Sequence, residues 1–168
     1  MEFAAVVISV VAVTTSALLG WRALIIARHS NSVPVLIELF GEHRNKRLAE
    51  AREFVYHDLS KYDLSVGLDA LPVEKQVLIR DLAWFYDNLG ALVTHGVVDI
   101  EPVSGYLGGS VLGVWEKMLP LVTAEREKRG GSYDVQRWQV YFENLYHLVR
   151  QCPPAKARSA QHLWRLQH

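Results

Sequence analysis

The longest apolar pattern in the chain lies near its start. From Phe3 to Trp21 no residue is charged, and the hydroxyls of Ser9, Thr14, Thr15 and Ser16 can bond to the backbone of their own helix. These nineteen residues, at ~1.5 Å each, span ~28 Å, close to the ~30 Å hydrocarbon thickness of a bilayer. The run is too long for a buried strand, and a buried core helix is rarely this long without a charge. A cleaved signal peptide carries positive charge ahead of its apolar run, whereas here Glu2 precedes it and Arg22 and Arg28 follow. The pattern therefore predicts one transmembrane helix, with Trp21 at the interface and Arg22 and Arg28 marking its cytoplasmic end. This places the N-terminus outside the cell membrane and the rest of the chain in the cytoplasm. Ala23 to Ala27 should prolong the helix past the headgroups, with Arg22 snorkelling.

Beyond the anchor the pattern turns amphipathic. Ser30-Asn31-Ser32-Val33-Pro34 reads as a break and a new start, because Ser can cap and Pro is tolerated in a first turn. A short helix should follow from Pro34 to about Gly41, then another from about Asn45 to Leu59. The latter carries Leu48, Ala51, Phe54, Val55 and Leu59 three and four apart. Residues 61–71 lack that period and contain Gly67, which predicts a loop with Leu64, Val66 and Leu68 against the core. Pro72 opens a central helix with Asp69 or a neighbour near its cap. From Leu82 to Val93 only Asp87 is charged, so this helix should be buried on nearly every side. A second membrane span is the competing reading. Asp at mid-membrane costs about 2.5–3.5 kcal/mol, Asn88 and Gly90 lie beside it, and Arg80 and Asp81 shorten the run, so a core helix is preferred.

Gly96 is placed to end the central helix. Asp99 can cap a short turn through Pro102. Gly105, Gly109 and Gly113 then fall four apart on one helix face, where small residues admit a close neighbour, either within the chain or from a second copy of it. Pro120 should kink this helix and Gly130-Gly131 should stop it. A last helix from about Tyr133 to Gln151 aligns Val135, Trp138, Phe142, Leu145 and Val149. The reading is all-α: a transmembrane helix followed by a bundle of about five helices. Residues 1–30 form the anchor and juxtamembrane helix, 31–152 the helical domain and 153–168 a basic tail. That tail, with Leu163, Trp164 and Leu166, reads either as disordered or as a surface-seeking segment.

Composition removes several functions. Eighteen basic residues balance eighteen acidic ones, so no basic field draws nucleic acid. Cys152 is single and forms no internal disulfide. Glu53 with His57, and Glu143 with His147, are four apart, but such pairs are also ordinary helix-surface contacts. No His-Glu-x-x-His occurs, and neither a metal nor a cofactor is expected. The glycine stretch lacks the Gly-Lys-Ser/Thr ending of a phosphate loop. Ser110 has no His and acid partners in a recognised order.

Asp87 and Asn88 interrupt the most apolar helix. Buried polar groups need partners, so they are either a structural network or, with His95, part of a ligand pocket. Two functions follow. One is a membrane-anchored interaction or regulatory module serving a membrane or cytosolic protein. The other is a membrane-bound enzyme or small-ligand sensor with a pocket near Asp87 and Asn88.

A series of short motifs runs through most of residues 3–150. It comprises Arg28 to Pro34, Glu50-Ala51-Arg52 with Phe54-Val55, and Phe85 with Leu89-Gly90-x-Leu92-Val93-x-x-Gly96-Val97-Val98. Trp115-Glu116, Pro120 and Tyr141-Phe142-Glu143-x-Leu145 complete it. In this order the chain resembles an uncharacterised bacterial family of small, N-terminally anchored helical proteins, known as a domain of unknown function. The resemblance implies the anchor-plus-helices layout. It implies no activity and carries over no functional residues.

Overall fold

The computed structural model describes the backbone of residues 2–130 and 138–156, and the side chains of residues 11–23, 32–130 and 138–156. All regular structure among the described residues is helical. The elements are α1 (Glu2–His43), α2 (Lys46–His57), α3 (Val73–Thr94), α4 (Ile100–Lys128) and α5 (Val140–Gln151). Two 3₁₀ segments, Leu59–Lys61 and Leu64–Ala70, fill the connection between α2 and α3, where the sequence shows no helical period.

Helix α1 corrects the expected break after the anchor. The chain does not break at Ser30–Pro34, and Pro34 lies inside a helix that runs on from Glu2. Proline removes one backbone donor, but the turns on its C-terminal side are held by packing. Leu39 is buried, and Val35, Leu36 and Phe40 rest against the core. Among the described residues no helix is long and apolar enough to cross a membrane. Part of the expected span, residues 3–10, lies outside the described side chains.

Local signals set several ends. The Asn45 side chain accepts the Leu48 N–H at 2.8 Å and caps α2. Gly96, at φ 67°, ends α3 as expected. Its N–H reaches the Val93 carbonyl, and the Val97 N–H reaches that of Leu92, which closes the last turn as a Schellman motif. Asp69 does not cap α3: Pro72 holds that position, and Asp69 instead pairs with Lys128 of α4 at 2.6 Å. The expected turn at Asp99–Pro102 is the first turn of α4 rather than a separate element, because proline fits a helix start. Pro120 also sits within α4, at an exposed position where a freed carbonyl can meet water. The last helix starts at Val140, after a turn at residues 138 and 139. The proposed start at Tyr133, with residues 131–137, lies outside the described residues.

The core is gathered by α3. Tyr86 stacks on Phe142 of α5 with ring centroids 4.7 Å apart, and Trp115 of α4 meets Phe142 edge-on at 4.9 Å. Gly90 lets α3 and α5 approach, since a Cβ there would stand 2.0 Å from the Tyr141 carbonyl oxygen. The 3₁₀ loop is tied to α4 by the buried Glu125, whose Oε1 accepts the Leu68 N–H at 2.8 Å. Gly67 is required beside it: its φ is 67°, and a Cβ would lie 2.3 Å from that same oxygen.

Candidate functional site

The singled-out polar residues of α3 go to different places. Asp87 Oδ1 accepts the N–H groups of Tyr141 and Phe142, both at 3.0 Å. Helix α5 has no side-chain cap of its own, because Gln139 before it is left-handed at φ 61°. Asp87 therefore caps α5 from a neighbouring helix and places a carboxylate at its positive end. Burial pushes the Asp87 carboxyl above its ordinary pKa, while the two N–H bonds and Arg126 pull it back. His95 is exposed and also meets the start of α5, with Nε2 3.3 Å from the Tyr141 hydroxyl. Asn88 faces elsewhere, onto an open groove.

That groove has a volume of about 420 Å³. Leu39 and Glu42 of α1 form one side, with Asn45, Arg47 and Leu48 at the start of α2. Asp81, Trp84, Phe85 and Asn88 of α3 form the other. Arg47 and Asp81 form an ion pair across it, and Trp84 is 58% exposed.

The glycine stripe is largely outward. Gly105 and Gly109 are exposed, and a Cβ on Gly109 would meet nothing within 4 Å. Gly113 faces Tyr56, whose hydroxyl lies 3.0 Å from an added Cβ. The tighter contact belongs to Gly108, off the stripe, where an added Cβ would lie 2.7 Å from Pro154 and 3.2 Å from Val149. Glu53 and His57 make a surface pair at 3.4 Å. Among the described residues no three His, Cys, Asp or Glu side chains could hold a metal. Trp21 and Arg22 are exposed on α1, and the Arg28 side chain and tail residues 157–168 lie outside the described set.

A further polar cluster escapes sequence reasoning. At the end of α1, His43 Nε2 lies 3.2 Å from the Tyr86 hydroxyl of α3 and 3.3 Å from the Ser110 hydroxyl of α4. The two hydroxyls are 2.6 Å apart. Arg52 of α2 stands close enough for its charge to act on both His43 and Tyr86. Burial, with the Arg52 charge beside it, lowers the His43 pKa to about 4, so the ring is neutral at pH 7. Burial raises the Tyr86 phenol well above its ordinary value. The only sequence hint was a polar Ser in the glycine stretch, because residues 43, 52, 86 and 110 share no spacing.

A family profile matches residues 7–152. The chain belongs to the family described as Domain of unknown function (DUF4760). The match spans all five described helices in whole or part, so α1 and the bundle fall within one DUF4760 unit. No curated protein and no solved structure matches the chain.

Proposed function

We propose that this DUF4760 protein is a membrane-tethered helical module that docks a protein partner in the groove beside Trp84. The observation that carries the tether is the uncharged run Phe3–Trp21, set in a helix that continues unbroken into the bundle. Its described apolar residues stand free: Val11, Val13, Leu18, Leu19 and Trp21 are 57–68% exposed. Thr14 and Thr15 donate their hydroxyls to the Val11 carbonyl at 3.0 and 2.8 Å, the internal satisfaction that polar groups in lipid require. Arg22 and Arg28 favour a cytoplasmic bundle.

The groove supports the docking half. Trp is enriched among the residues that anchor protein interfaces, and Trp84 stands exposed beside polar groups. Glu42 and Asp81 outnumber Arg47 along the groove, which suits a partner segment with an apolar anchor and a flanking base. The test is crosslinking of the full-length protein in its native membrane, followed by mass spectrometry, beside Trp84→Ala. One reproducible foreign partner, lost in the variant, is expected. Self-crosslinks alone, or capture indifferent to Trp84, would contradict the docking reading.

A further inference from the structure

A buried cation ordinarily has a counter-charge or a full set of acceptors, because leaving it unpaired costs several kcal/mol. Arg52 has neither. Its Nη1 is buried and no protein group accepts from it. Among the described residues its guanidinium forms no ion pair with a carboxylate. The cluster beside it holds no carboxylate: it consists of His43 from α1, neutral at pH 7, and the hydroxyls of Tyr86 from α3 and Ser110 from α4. Four helices thus converge on a positive centre lined by hydroxyls and lacking any acid.

We propose that Arg52, with the hydroxyls of Ser110 and Tyr86, binds a small oxoanion, the carboxylate or phosphate group of a ligand. The oxoanion accepts the orphaned Nη1–H as a charge-assisted bond and a hydroxyl proton from the Ser110–Tyr86 pair. Ser110 and Arg52 are only partly buried. Next to Ser110, Gly109 is exposed and has nothing within 4 Å of a Cβ position. A metal is disfavoured here by the positive charge and the absence of carboxylates. The site is separate from the Trp84 groove and does not depend on that reading.

The anion also has a signature at His43. Arg52 helps hold that ring neutral, and a bound negative charge offsets Arg52. Binding therefore raises the His43 pKa above its value of about 4, and by linkage the anion binds more tightly as the pH falls toward that value.

The test uses the full chain in detergent micelles, titrated with inorganic phosphate or with acetate against chloride at equal ionic strength. A saturable rise in melting temperature is expected with at least one oxoanion and not with chloride; the one saturating at lower concentration identifies the ligand chemistry. Arg52→Met should abolish the rise, and Ser110→Ala should raise the half-saturating concentration severalfold. Arg52→Met should itself fold, since it removes a buried donor that no protein group accepts from. If it does not, proton NMR of the native chain decides: the His43 titration midpoint must move up on saturation. A rise that persists in Arg52→Met, no saturable rise with either oxoanion, or an unmoved His43 midpoint would overturn the site.

Discussion

Asp87 accepts two N–H bonds that α5 has no side chain of its own to satisfy, so its removal strands two donors at once. Asp87→Ala should cost about 1–3 kcal/mol in urea unfolding, and Asp87→Asn, which keeps an acceptor, clearly less. The residue was legible as an interruption of an apolar helix. Its role was not, because its partners are backbone groups and leave no mark in a sequence. His43 was not legible at all. Its folded pKa of about 4 lies below the ordinary 6.5. The unfolded chain therefore binds more protons in that window, and the His43 contribution, fully present above pH 6.5, is lost as the pH falls toward 4. Asp87 acts in the opposite sense, because its raised pKa favours folding at lower pH. The prediction is consequently a difference: the unfolding free energy of the native chain, measured relative to that of His43→Gln, should fall steadily from pH 6.5 to 4.

At the scale of elements, close approach is decided by particular glycines. Gly90→Ala places a methyl 2.0 Å from the Tyr141 carbonyl oxygen, backbone that moves only if α3 and α5 separate. It should lower stability by about 1–3 kcal/mol or more. Gly109→Ala meets open space and should hold or slightly raise the melting temperature, since alanine is the better helix former. Thermal melts of the two variants give the comparison. Spacing of four singled out Gly105, Gly109 and Gly113, yet the tight contacts fall at Gly90 and Gly108. Spacing defines a face of a helix and not what stands opposite it. The Asn45 cap and the Gly96 stop were readable because they are local. The continuity of α1 through Pro34 was not, because it rests on Leu39 and Phe40 packing against distant helices.

At the scale of the molecule, an apolar helical run leads directly into a compact bundle, within a single family unit that covers residues 7–152. The all-helical class was legible from apolar periodicity, while the convergence of His43, Arg52, Tyr86 and Ser110 arises only when four helices pack. The tether is the central claim at this scale, since it sets where a docking partner would be met, while the oxoanion site stands apart from it. Its most direct test is alkaline carbonate extraction of membranes carrying the full-length chain. A spanning α1 predicts that the protein stays in the lipid pellet and is freed only by detergent. Release of the folded chain into the carbonate supernatant would contradict the account.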